Sequence, residues 1–217
     1  MKAIAIVSQK GGVGKTTLCA NLACAAIAAG AGPVRIMDAD PQATLTRRWA
    51  TPRRLDVPTL VAAPVAELAA RLDVIRSEPG VLLIDTPPAL SREIALVIAA
   101  ADFVLVPIQP SPPDLDAVGA TVDMLEAADK PYAFIINRNR KRSRWTGPAV
   151  AELSHHGAVC PAFVHDWDSL RDGFLSGTSV VETAPASEAA SEIIAIWSYV
   201  AIMISSSQSV KKGRRKR

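Results

Sequence analysis

Apolar residues along this chain fall mostly in short unbroken runs. Residues 2–8 alternate and are β-rich, and continuous runs follow at 33–38, 81–85, 102–107, 132–136 and 158–164. Continuous apolar runs of four to seven residues, separated by helix-like segments, are the pattern of strands buried on both faces of a parallel sheet. The segments between them predict helices near 42–50, 64–77, 91–100, 113–128, 147–156, 168–176 and 187–204. Another spans 16–29, which is rich in alanine and lacks proline and glycine. Strand and helix alternate along the whole chain. This predicts the α/β class: a doubly wound, mostly parallel sheet flanked by helices, with right-handed crossovers. The prolines fall where strands end and loops start, as in Thr86-Pro87-Pro88 and Pro110-Ser111-Pro112-Pro113.

A chain of 217 residues fits one core, which grows to about 250 residues before splitting. We therefore expect one domain over 1–204, then a mobile basic tail over 205–217 introduced by Ser205, Ser206, Ser207 and Ser209. The apolar segment 193–204 is shorter than the roughly twenty residues that span a bilayer. Its stripe of Ile193, Ile196, Trp197, Val200 and Ile204 predicts a helix face packed on the sheet. The N-terminus lacks the pattern of a signal peptide. Cys19, Cys24 and Cys160 form no CxxC pair and read as small buried apolar residues, which fits a reducing cytoplasm. His155, His156 and His165 show no metal spacing and read as structural or surface residues.

Charge changes the picture because it is local. Arg138, Arg140, Lys141, Arg142 and Arg144 form one cluster, and Lys211, Lys212, Arg214, Arg215, Lys216 and Arg217 another. Without these eleven, thirteen Lys and Arg face twenty-one acids, and the formal charge of +3 becomes −8. Both clusters supply the phosphate-neutralising charge that non-specific DNA binding requires. A basic tail behind an apolar helix is also the pattern of a membrane-surface anchor, the less favoured of the two readings.

The strongest chemical signal is the loop Lys10-Gly11-Gly12-Val13-Gly14-Lys15-Thr16-Thr17, set between a buried strand and a helix N-terminus. Its glycines let main-chain N–H groups turn inward, where they and the helix dipole surround phosphate oxygens. Lys15 would neutralise β- and γ-phosphate charge, and the Thr16 hydroxyl would serve Mg²⁺. Asp38 and Asp40, in Asp38-Ala39-Asp40-Pro41-Gln42, stand at the C-terminal end of the second strand, where open α/β sheets gather ligands. Asp85 ends the apolar run Val81-Leu82-Leu83-Ile84 and is placed to hold Mg²⁺ through water. Asn137 and Asn139 follow the strand 132–136 without the acid of a guanine-reading NKxD motif, which disfavours GTP.

With its second lysine, Lys10, this loop resembles the deviant Walker A motif of the ParA/MinD superfamily of P-loop NTPases. The resemblance implies that Lys10 reaches the partner subunit's phosphates in an ATP sandwich dimer. It implies that Asp40 orients or activates the attacking water, that Asp38 supports the loop and the Mg²⁺ shell, and that Asn137 contacts adenine. Residues 108–127 are similar to the proline-rich segment and helix of small ParF-type plasmid partition ATPases. That subgroup implies a cytoplasmic, nucleoid-associated homodimer that binds DNA without sequence preference. A ParB-like centromere-binding adaptor would stimulate its slow hydrolysis of ATP. A MinD-like positioning ATPase on membrane and a metabolic P-loop enzyme of the same superfamily remain as alternatives.

Overall fold

The computed structural model describes residues 1–53, 56–61, 64–89 and 91–214, with backbone only for 207–214. Seven strands form one sheet in the order β3-β2-β4-β1-β5-β6-β7, every pair parallel. They are β1 Lys2–Ile6, β2 Val34–Asp38, β3 Thr59–Leu60, β4 Val81–Asp85, β5 Phe103–Ile108, β6 Tyr132–Ile136 and β7 Ala158–Val159. The helices are α1 Lys15–Ala28, α2 Leu68–Ile75, α3 Arg92–Ala100, α4 Pro112–Asp116, α5 Val118–Ala127, α6 Thr146–Ser154, α7 Asp168–Leu175, α8 Val180–Thr183 and α9 Glu188–Arg214. The doubly wound class expected from the apolar runs is what is found.

Because successive strand residues point to opposite faces, each central strand feeds two cores. Ile4 and Ile6 of β1 join Leu83, Leu105 and Ile135 beneath α1 and α9. Ala3 and Ala5 join Ile84, Val104 and Phe134 in the opposite core, with residues of α2, α3, α5 and α6. The five predicted stripe residues of α9 are buried, led by Ile196 and Val200 at 0% exposure. Each contributes about 1.5–3 kcal/mol against leaving it in water. Residues 188–206 of this helix are long and apolar enough to cross a membrane, but a face of that segment is already committed to packing against α1.

Several expectations meet a local correction. The run 158–164 pairs as strand only at Ala158–Val159; Cys160 N still donates to Phe134 O, but the next β6 carbonyl, Ile136 O, receives Val164 N, four residues on. The segment near 42–50 forms a π-helical turn at Thr46–Ala50. It is entered through Thr46 N donating to Asp38 Oδ2 at 2.8 Å and is pinned by Trp49 Nε1 donating to Thr178 O at 3.0 Å. The helix predicted over 113–128 divides at Ala117 into α4 and α5. Helix α9 runs on to Arg214 where the sequence predicts its end at 204. Residues 205–212 contain no glycine or proline, and Ser205 and Ser206 bond back to the Ala201 and Ile202 carbonyls. The side chains of Lys211, Lys212 and Arg214, and all of Arg215, Lys216 and Arg217, lie outside the described residues.

Candidate functional site

β1 lies between β4 and β5, so the loop that leaves it opens where the sheet's winding reverses. Gly12 and Gly14 have φ of 76° and 91°, which only glycine adopts freely. A Cβ at Gly14 would also stand 2.5 Å from the Asn137 amide nitrogen. The loop is therefore shaped by its glycines and by the close approach of β6. Gly14 caps α1, and Leu18 N closes the first turn on Gly14 O at 2.9 Å. Lys15 is only 6% exposed and donates to Lys10 O at 3.1 Å, wrapping the loop around its own ammonium. Burial lowers its pKa, while Asp85 and Asp40 oppose the fall.

Asp85 is 0% exposed, and neither carboxylate oxygen accepts a hydrogen bond. Burial pushes its carboxyl up to about 7; Asp38 and Asp40 add to the rise while Thr16 and Lys15 oppose it. The β2–β4 register sets Asp38 directly beside Asp85. An orphaned buried carboxylate next to a threonine hydroxyl fits a divalent cation, since a hard ion bound through oxygen ligands would satisfy it. Thr16 and Asp85 would hold such an ion there. Asp38 is engaged otherwise: its two oxygens accept Asp40 N at 3.2 Å and Thr46 N at 2.8 Å, which shapes the loop between β2 and the π-helical turn. Asp40 lines the cavity, as Asp38 does not, and receives Gln42 N at 2.9 Å.

The cavity measures about 470 Å³ and runs from Gly11, Gly12, Gly14, Lys15, Thr16 and Thr17 to a second wall at residues 164–167, with Leu170, Arg171 and Ile193. Val13 turns its side chain into the fold and gives its carbonyl to Asn137 Nδ2 at 2.6 Å. Asn137 is 4% exposed and lines the cavity, where its predicted contact with a base would be made. Lys10 stands at the rim, its ammonium 2.8 Å from Asp114 Oδ2; Asp114 is buried in α4 and also receives the Ser111 hydroxyl.

The basic cluster divides. Arg138 leaves the expected DNA surface and lines the cavity, donating to Gly12 O at 2.8 Å and Asp166 Oδ1 at 3.1 Å. Lys141 pairs with Glu188 at 2.8 Å and lies 4.5 Å from the Trp167 ring centroid. Arg140, Arg142 and Arg144 are exposed, and Arg144 stacks on the exposed Trp145. His165, which reads as structural or surface in sequence, is part of the cavity wall together with Asp166, Trp167 and Arg171. No motif marks these four; only the return of the chain beside Asn139 brings them to the site. Among the described residues, no group of His, Cys, Asp and Glu forms a metal cluster.

A glycine loop on the central strand of a parallel sheet, with one lysine enclosed and another at its rim, defines a P-loop nucleotide-binding domain with two loop lysines. Residues 4–178 match the family model for the CobQ/CobB/MinD/ParA nucleotide binding domain, and the chain belongs to that family. It is 28% identical over 201 residues to maintenance of carboxysome distribution protein A of Halothiobacillus neapolitanus, covering 88% of this chain and 92% of the relative. It is 33% identical over 156 residues to the chromosome-partitioning ATPase Soj of Thermus thermophilus, covering 58% and 62%. In fold it is similar to the ATP complex of Cyanothece McdA(D38A), with a TM-score of 0.73 at 19% identity over 89% of this chain and 94% of the other.

Proposed function

We propose that this protein is an ATP-switched partition ATPase: ATP closes a sandwich homodimer, the dimer binds DNA without sequence preference, and an adaptor stimulates hydrolysis and release. The observation that carries the proposal is the division of labour between the two loop lysines. Lys15 is enclosed by the loop, which supports a role toward phosphates bound in its own subunit. Lys10 is paired to α4 and 39% exposed at its side chain, which supports a role toward a second copy. A cation supplied across a dimer ties association to the γ-phosphate whose charge it offsets.

In this reading Asp40 orients the attacking water from the cavity wall, and Asn137 addresses the base. Mg²⁺, when bound by Thr16 and Asp85, would neutralise phosphate charge. The chain's own residues do the positioning: main-chain N–H groups of Gly11–Thr17 cradle the phosphates, and Lys15 fixes the β–γ bridge. DNA contact falls to Arg140, Arg142 and Arg144, with the tail cations 211–215 adding charge. The setting is the cytoplasm, on the nucleoid, with a ParB-like adaptor linking the dimer to its cargo. The similarity to a carboxysome distribution protein favours a second reading of that cargo, in which the same DNA-bound switch positions a protein body.

The test is DNA binding with ADP, ATP and a non-hydrolysable analogue across a salt series. Retention with ATP or the analogue only, weakening steeply with salt, is expected. Equal retention with ADP, or ATP-dependent binding to anionic liposomes without DNA binding, would refute the proposal.

A further inference from the structure

Beyond the phosphate loop, the cavity wall at residues 164–167 has its main-chain donors already committed. Val164 N donates to Ile136 O at 2.9 Å, Asp166 N to Asn139 O at 3.0 Å and Trp167 N to His165 O at 2.9 Å. His165 N donates to Glu192 Oε2 at 3.0 Å. Glu192 belongs to α9, where it precedes the cavity-lining Ile193, and it collects two more donors from the same wall. Trp167 Nε1 donates to its Oε2 at 2.7 Å, and His165 Nδ1 lies 2.5 Å from its Oε1. A carboxylate accepts, so the ring nitrogen that faces it, Nδ1, is the one that donates. Arg138 and Arg171, which also line the cavity, each give an N–H to Asp166 Oδ1, at 3.1 and 2.5 Å.

We infer that Glu192 sets the base selectivity of this site by withholding donors from it. Adenine and guanine present opposite groups at C6, an amino donor and a carbonyl acceptor. A wall whose three donors converge on Glu192 keeps those three from the cavity and leaves the Asp166 carboxylate as an acceptor beside it. An amino group finds a partner there. A carbonyl brought to this wall loses water and gains none of the three N–H groups that Glu192 holds, the kind of mismatch that separates substrates most strongly. The absence of an NKxD acid, with Arg140 in its place, removes attraction for guanine; Glu192 adds exclusion. The inference rests on the reading of the cavity as a nucleotide site. It assigns Glu192 as a positioning residue, since it acts through His165 and Trp167 rather than by touching the base.

The experiment is competition of ATP and GTP against a fluorescent ATP analogue, for the wild-type chain, Glu192→Gln and Glu192→Ala. The measured quantity is the ratio of GTP to ATP dissociation constants, which an inactive fraction of protein does not alter. Wild type should prefer ATP at least tenfold. Glu192→Ala releases the donors and should narrow the ratio about tenfold, the scale of one hydrogen bond gained. Glu192→Gln keeps one acceptor and should fall between. A ratio unchanged in both variants overturns the inference. An unchanged ratio in Glu192→Gln overturns it equally if Glu192→Ala binds nothing, as does a wild type that binds GTP as well as ATP. A wild-type chain that binds neither nucleotide would instead overturn the reading of the cavity.

Discussion

At the scale of residues, the site contains a group that the fold alone leaves unsatisfied. Asp85 is fully buried with both oxygens unpaired, and a buried charge without partners is costly unless a cation completes it. Asp85→Asn removes that charge, so the Mg²⁺-free, nucleotide-free protein is expected to melt a few degrees higher while ATP hydrolysis falls at least a hundredfold. Thermal melting in chelator and a phosphate-release assay would show both effects, and a lower melting temperature would mean that the carboxylate already has a partner. Lys10 poses the opposite case, since it has a partner, Asp114, that the proposed dimer would displace. Lys10→Ala should keep ATP and lose the dimer. Asp114→Asn weakens the hold on Lys10 and should lower the ATP concentration for half-maximal dimerisation severalfold. Sedimentation at graded ATP reads both variants, and an unchanged midpoint in Asp114→Asn would show that the ion pair does not compete with dimerisation.

At the scale of elements, one corner joins β1, α2 and β5 through a single carboxylate. Asp102 accepts Ala3 N at 3.0 Å, receives Arg76 at 3.1 and 3.2 Å, and lies 3.5 Å from Lys2. Burial raises its pKa, but the Ala3 N–H, Lys2 and Arg76 outweigh burial and hold the carboxyl below its usual 3.8. A depressed pKa stabilises the fold above the unfolded value and loses that contribution as pH falls through the folded one. Asp102→Asn should therefore cost about 1–2 kcal/mol at pH 7 in urea unfolding, and the difference should shrink toward zero as pH falls through the lowered pKa of the folded state. A loss constant with pH would assign the effect to packing. The sequence reveals the elements of this corner because apolar run length identifies β1 and β5 directly. Its capping pattern also contains a signal for α8, where Ser179 and Glu182 form a capping box. The two-residue β3 is too short for any period to show. The gathering of the phosphate loop, Asp40 and Asn137 at one cavity is legible in the sequence because each follows the C-terminal end of a strand of the same parallel sheet. The wall of His165, Asp166, Trp167 and Glu192 is not, because its meaning arises only when the return from β7 meets α9.

At the scale of the whole molecule, the basic cluster proves to be two features. Arg138 lines the cavity and Lys141 is held by Glu188 and the Trp167 ring, which leaves Arg140, Arg142 and Arg144 exposed. Replacing these three with alanine should weaken ATP-dependent DNA binding at every sequence and reduce the salt slope by about 2–3, roughly 0.9 for each phosphate no longer neutralised. Fluorescence anisotropy over a salt series gives the slope, and an unaltered one would move the DNA surface elsewhere. The central position of β1 reaches further. Its neighbours are β4 and β5, whose partner residues begin at Val81 and Phe103, and the opposite cavity wall arrives only at Val164. A ribosome thus makes the phosphate loop well before the structure that can use it. During synthesis the nascent chain carries a complete phosphate-binding sequence with no sheet to hold it open. Nucleotide can then be captured only after most of the protein has emerged, when its binding energy adds directly to the stability of the finished fold.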